Sequence, residues 1–356
     1  MLNWLLIFVP VAIGLEFLRP ESHALIFLAA CLAIVPLAGW LGRATEELSH
    51  HTGEAIGGLL NATFGNAAEL IIAIMALRKG LYAVVKASLT GSIIGNILLV
   101  LGAAVLAGGI RHKEQRFNAV GARAQSTLLT LAAVGLIMPA AFLYLAGAQA
   151  RVTEATLSLD ISFVLLMAYA ANLFFSLHTH KALFAAEAEQ PESETHHPGP
   201  ARSVAMLIGA TALIAWISEI LVGSVEPAAA SFGMTSIFIG VIVVAVIGNA
   251  AEHSTAVMFA LKNRMELAMG IAIGSSLQMA LFVAPLLVIL SHFIGPRPMD
   301  LVFTPAEVLA VFLSVLITSQ IASDGESNWL EGLLLLAVYF IFAAVFYFLP
   351  DVEKAA

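Results

Sequence analysis

The sequence predicts an all-α polytopic membrane protein of about eleven transmembrane helices, built as two inverted five-helix repeats plus an extra N-terminal helix. Three observations predict it. Hydrophobic residues make up 60% of the chain and charged residues 11%, with a mean hydropathy of +0.95, well outside the range of a soluble domain. Apolar runs of about twenty residues recur along the length, each enough to cross a hydrocarbon core of roughly 30 Å as a helix. The string Gly-Asn-Ala-Ala-Glu stands at 65–69 and again at 248–252, and Gly91-Ser92 returns as Gly274-Ser275, all at one offset (252 − 69 = 183; 274 − 91 = 183).

The first window, 3–18, has neither a basic leader nor a small-x-small cleavage site and is read as a retained helix. Further windows follow at about 23–42, 55–77, 81–108, 122–147, 157–178, 203–223, 232–261, 265–293, 303–321 and 328–349. Turn and charge signals separate them, among them Arg19-Pro20-Glu21, Arg78-Lys79-Gly80, Arg111-His112-Lys113 and Gly295-Pro296-Arg297-Pro298. Asn328 with Glu331 three residues later marks a capping-box start for the last helix. The most polar interval, His180 to Arg202, holds Glu187, Glu189, Glu192, Glu194, His196 and His197 and reads as an acidic linker. The division expected is therefore 1–20 for the extra helix, 21–179 for the first repeat, 180–202 for the linker and 203–356 for the second repeat. An odd number of helices per repeat makes the second copy cross the membrane in the opposite sense, the arrangement that builds a midplane site from equivalent segments.

Lys and Arg divide nine to seven between the two faces, the nine being Arg43, Arg111, Lys113, Arg116, Arg123, Lys181, Arg202, Lys262 and Arg264. That leans toward a cytoplasmic N-terminus and linker, in a prokaryotic cytoplasmic membrane. The net charge of −8 speaks against nucleic acid as a partner, leaving the lipid bilayer and cations. A single cysteine, Cys31, excludes an internal disulfide or a thiolate metal cluster. Whether the chain forms a homo-oligomer is left open.

Glu69 and Glu252 lie near the centres of their windows, where an ionised carboxylate costs roughly 2.5–3.5 kcal/mol on insertion scales and so faces a partner or a water-filled path. Asn66 and Asn249 each precede the Glu by three residues and share its helix face. Gly and Ala between them allow close helix approach or a local break. Carboxylates, amide oxygens and freed carbonyls form a hard-oxygen set suited to Ca2+ or another hard divalent cation. A polar strip follows in each half: Ser88, Thr90, Ser92 and Asn96 in one, Ser275, Ser276 and Gln278 in the other. Back-bonding to the helix accounts for Ser88 and Thr90, whereas Ser92 and Ser275 recur by position. Two carboxylates balance one divalent cation; emptied in low dielectric they would repel each other and take up protons instead. Competition of protons and a divalent cation for the same oxygens is antiport chemistry.

These segments, with Ala44-Thr-Glu-Glu-Leu48, Gly57 to Leu70, Gly248 to His253, Gly274-Ser-Ser-Leu-Gln278 and Ser323 to Gly332, resemble the Ca2+/H+ antiporters of the Ca2+:cation antiporter superfamily over nearly the whole chain. The resemblance implies ten core helices plus an N-terminal one, an acidic cytoplasmic linker, and Glu69 and Glu252 as the residues that bind Ca2+ and carry protons. It puts Asn66, Asn249, Ser92, Ser275, Asn96 and Gln278 around them. No cofactor is expected beyond the transported Ca2+ and protons. His253 stands where the first repeat has Leu70; packing is its default reading and a proton relay the alternative. Glu219 and Glu307 lie near helix ends, where a carboxylate is tolerated.

The expected activity is secondary transport, not catalysis: cytoplasmic Ca2+ exchanged for protons by alternating access around Glu69 and Glu252. The rivals are the same fold using Na+ as driver or Mn2+ or Mg2+ as cargo, a passive cation channel, and an intramembrane metallohydrolase built on Glu252-His253. The last lacks further ligands in any His-Glu-x-x-His string.

Overall fold

Aliphatic runs with their backbone bonds satisfied inside each segment dictate helices here, because lipid offers no other partner. The computed structural model describes residues 3–52, 54–147, 150–180 and 199–350. In chain order the helices are α1 (Asn3–Leu18), α2 (His23–Thr52), α3 (Glu54–Phe64), α4 (Ala67–Arg78), α5 (Tyr82–Arg111), α6 (Ala119–Ala146), α7 (Ala150–Phe174), α8 (Pro200–Phe232), α9 (Ser236–Gly248), α10 (Ala250–Leu261), α11 (Met265–Ile294), α12 (Pro305–Ile321) and α13 (Trp329–Phe348). Seven are long and apolar enough to span a membrane, and α9 with α10 forms an eighth, bent by 59°. With the α3–α4 pair and the shorter α1 and α12, this is consistent with the eleven windows.

Two differences from the sequence reading matter. The windows 55–77 and 232–261 are not continuous helices; each breaks immediately before its Ala-Ala-Glu. Helix α8 starts at Pro200, inside the expected linker, and the rest of that linker, 181–198, lies outside the described residues.

The offset of 183 holds for the element ends: α4 and α10 (250 − 67 = 183; 261 − 78 = 183), and α5 and α11 (265 − 82 = 183; 294 − 111 = 183). Each of the latter pair also widens into a π-helical stretch, Gly95–Val100 in α5 and Met279–Val283 in α11, a distortion often found at functional sites.

Helix α5 is the centre of the molecule, with 72% of its most apolar window buried, against 28% for α6 and 22% for α13. Close approach explains its glycines: a Cβ on Gly91 would run into the Val241 backbone, and one on Gly109 into Trp329. Helices α2 and α8, equivalent in the two repeats, pack along each other.

Contacts at the helix ends define two faces. Asn3 accepts from Trp40 at 3.2 Å, Ser203 donates to Glu47 at 2.9 Å, and His112 meets the Leu261 carbonyl at 3.1 Å, all on the N-terminal face. There a short antiparallel pair, β1 (Gln115–Arg116) and β2 (Glu326–Ser327), ties two loops, with Arg116 and Glu326 ion-paired at 3.2 Å. On the opposite face Tyr82 donates to the Arg297 carbonyl at 2.6 Å and Lys79 to the Glu219 carbonyl at 3.2 Å. The capping box at α13 is present, Asn328 accepting from Leu330 and Glu331 at 3.0 and 3.3 Å.

Candidate ion-binding site

Gly-Asn is a poor helix sequence, and Ala-Ala-Glu a good restart with its acid in the first turn. Asn66 (φ −106, ψ 28) and Asn249 (φ −91, ψ 11) leave helical geometry, and α4 and α10 begin at the next residue. Glu69 and Glu252 thus sit in the first turn of a fresh helix, beside unpaired N–H groups and the positive end of the helix dipole. That is how a carboxylate is kept at membrane depth.

The two strings meet. A Cβ on Gly248 would lie 3.3 Å from Glu69 Cγ and 3.4 Å from its Oε1, so the first carboxylate rests on the glycine of the second copy. A Cβ on Gly65 would lie 3.4 Å from Gln278 Oε1. Glu69 and Glu252 both line one cavity.

Hydrogen bonds cross between the repeats at each break. Asn66 donates to Gln278 Oε1, while Asn249 donates to Ser92 Oγ at 3.1 Å and accepts from Asn96 at 3.2 Å. Asn249 also donates to the Ala245 carbonyl at 2.9 Å, bracing the end of α9. Ser275 lines the cavity beside the Glu252 carboxylate. Of the buried oxygens without a hydrogen-bond partner among the described residues, three belong to this group: Asn66 Oδ1, Asn96 Oδ1 and Glu252 Oε2. An orphaned buried acceptor costs about 1–3 kcal/mol, and a hard cation or a proton would relieve it.

The cavity has a volume of about 1010 Å3 and opens on the N-terminal face, past Arg43, Glu46, Asn118 and Glu266. Gly270 and Gly274 leave its wall open, with nothing within 4 Å of a would-be Cβ on either.

Other expectations fare differently. Gly248 at the end of α9 and Ala251, Glu252 and Thr255 on α10 line the cavity; His253 is half-buried on another side and does not line it. Ser88 back-bonds to Val85 at 3.0 Å as expected, but Thr90 donates to Glu307 Oε1 at 3.4 Å rather than to its own helix. Glu307 is buried, its other oxygen held at 2.8 Å by both the backbone and the hydroxyl of Thr304 in a capping box. Glu219 is exposed. His178 and His180 stack on Phe174 and Phe175, and His196 and His197 lie outside the described residues. Among the described residues, no three His, Cys, Asp or Glu side chains gather as a metal cluster.

Glu46 and Glu266 were not singled out by sequence as cavity residues. The signal for Glu266 was available, since it stands at i−4 and i−8 from Gly270 and Gly274 on the face that carries Gln278.

The sodium/calcium exchanger protein family matches the chain twice, at residues 22–178 and 202–348. A Ca2+/H+ antiporter of Aphanothece halophytica is 46% identical over 363 residues, covering 98% of this chain and 97% of that protein. One from Synechocystis sp. is 47% identical over 361 residues, covering 97% and 96%. Among solved structures, native YfkE superposes with a TM-score of 0.85 at 42% identity, covering 98% of this chain and 99% of that one. An H+/Ca2+ exchanger, CAX, shares the fold with a TM-score of 0.73 at 18% identity, over 97% and 91% of the chains.

Proposed function

The chain belongs to the sodium/calcium exchanger protein family, and we propose that it is a secondary transporter exchanging cytoplasmic Ca2+ for protons by alternating access. Relatives at 46–47% identity that bear the name Ca2+/H+ antiporter support protons as the driver. The observation that carries the site is that Glu69, packed against Gly248 of the second string, and Glu252, from that second string, line a single cavity. In this reading their carboxylates take Ca2+ between them, with Asn66 and Asn96 supplying amide oxygens. Asn249, Ser92 and Gln278 hold the groups in register through the bonds between repeats, and Ser275 flanks Glu252 within its own repeat.

The two charges of the carboxylates neutralise one Ca2+ or two protons, so either cargo lets the site turn without a bare charge crossing the hydrocarbon. The N-terminus faces the cytoplasm in this account, following the distribution of Lys and Arg. The cavity is then the cytoplasmic approach, and Glu46 and Glu266 at its walls give it a net acidic lining beside Arg43.

Calorimetry of Ca2+ binding to the solubilised protein, in buffers of different ionisation enthalpy, tests the shared site. Proton release on Ca2+ binding is expected, and its absence would contradict the competition on which exchange depends.

A further inference from the structure

The cavity wall and the repeat offset together identify the pathway that is closed. In an inverted repeat, each residue lining the open approach has a counterpart on the approach to the other face. Gly274 maps to Gly91 (274 − 91 = 183), Gly270 to Ala87 (270 − 87 = 183), Met269 to Lys86 (269 − 86 = 183) and Phe117 to Asp300 (300 − 117 = 183). The first members of these pairs surround open space. The second members are jammed: a Cβ on Gly91 would collide with the Val241 backbone, and a Cβ on Gly240 would come within 2.7 Å of Ala87. The outer halves of α5 and α9 therefore touch backbone to backbone where the mirrored cavity would be.

Across this closed half runs an ion pair without equivalent in the other repeat. Lys86 Nζ meets Asp300 Oδ1 at 2.5 Å and donates to the Val302 carbonyl at 2.8 Å, and the same Asp300 oxygen accepts from Val302 N at 2.7 Å. The side chains are 14% and 29% exposed, so the pair is partly shielded from water. Their counterparts are Met269 and Phe117, two apolar side chains lining the open cavity. These mirrored positions thus differ in chemistry, apolar on the side of the N-terminal face and ionic on the other.

We propose that the Lys86–Asp300 ion pair is the lock of the outer gate, holding shut the route from the Glu69–Glu252 site to the face opposite the N-terminus. Opening that route requires α5 to move against its neighbours on this face, and the pair is its charged tie to the 295–304 segment. Removing one partner leaves the other partly buried and uncompensated in the closed state alone, which shifts the population toward the open one.

The inference rests on the alternating-access reading, and its test needs no flux, so it answers even if the exchanged ions are not Ca2+ and protons. In a Cys31→Ala background, Ala87→Cys reports the outer route and Gly270→Cys the cavity, each titrated with a membrane-impermeant methanethiosulfonate from its own side. With Lys86→Met or Asp300→Asn, Ala87→Cys is expected to react about tenfold faster or more, and Gly270→Cys correspondingly slower. Lys86→Arg, which keeps the charge, is expected to leave both rates near the parent. An unchanged Ala87→Cys rate would overturn the proposal, as would both reporters speeding up together, the mark of a loosened fold. A rise with Lys86→Arg equal to that with Lys86→Met would overturn it too, since charge would then not hold the gate.

Discussion

The carboxylate of Glu69 lies against Gly248, the glycine of the second copy of its own motif. A methyl group there would stand 3.3 Å from Glu69 Cγ and 3.4 Å from Oε1, tight enough to shift the carboxylate by a few tenths of an ångström. Gly248→Ala is therefore expected to weaken Ca2+ binding by about tenfold, as displaced supports of metal ligands do. Gly270→Ala, with open space around it, should bind Ca2+ as the parent does. Calorimetric titration of the two variants separates them.

Glu69→Gln and Glu252→Gln remove one charge each while keeping shape and hydrogen-bonding capacity. Each is expected to abolish exchange in liposomes while leaving the elution profile and helical content unchanged. Near-normal transport by either variant would remove that carboxylate from the mechanism.

The amides that brace the site should matter less than the carboxylates but more than the surface. Asn249 is held by Ser92 at 3.1 Å and Asn96 at 3.2 Å, both from the other repeat. Asn249→Ala should cost about 10–100-fold in Ca2+ affinity, and Ser92→Ala less, since Asn249 keeps its bond to the Ala245 carbonyl. His253→Leu, a change on a side chain outside the cavity lining, is expected to leave affinity within about twofold of the parent.

Because protons and Ca2+ compete for the same oxygens, apparent Ca2+ affinity should fall as pH falls. With two carboxylates the limit is two protons displaced per Ca2+, a change of up to about a hundredfold per pH unit. A Ca2+ dissociation constant independent of pH between 5 and 9 would contradict the shared site.

Two capping boxes offer a stability comparison. Thr304→Ala leaves the buried Glu307 without the hydroxyl that holds it at 2.8 Å and is expected to cost about 2–3 kcal/mol. Asn328→Ala removes a half-buried cap at the start of α13 and should cost about 1 kcal/mol. Thermal unfolding midpoints in detergent rank them.

Much of this architecture is legible in the residues. Two identical strings at a common offset announce the repeat, whereas the helix face expected to join each Asn to its Glu is interrupted, since α4 and α10 begin only after Asn66 and Asn249. The helix breaks were legible only as one of two alternatives, because Gly-Asn weakens a helix while Ala-Ala-Glu-Leu continues an apolar helical pattern; in the packed molecule the side chains of Asn66 and Asn249 are engaged by residues 212 and 157 positions away. Thr90 reads as a back-bonding hydroxyl until Glu307, distant in sequence, comes alongside it. Lys86 and Asp300 are separated by 214 positions and look like ordinary loop-side charges until the repeat offset is laid over the cavity wall. Local pattern yields elements and periodicity, while pairings between repeats arise only in the packed molecule.

The most direct test of the central claim is flux in proteoliposomes with an imposed pH gradient, following Ca2+ uptake and internal pH together. The account predicts that Ca2+ accumulates only with the gradient in place and that its movement dissipates the gradient. Movement of Ca2+ that neither needs nor discharges the proton gradient would contradict it.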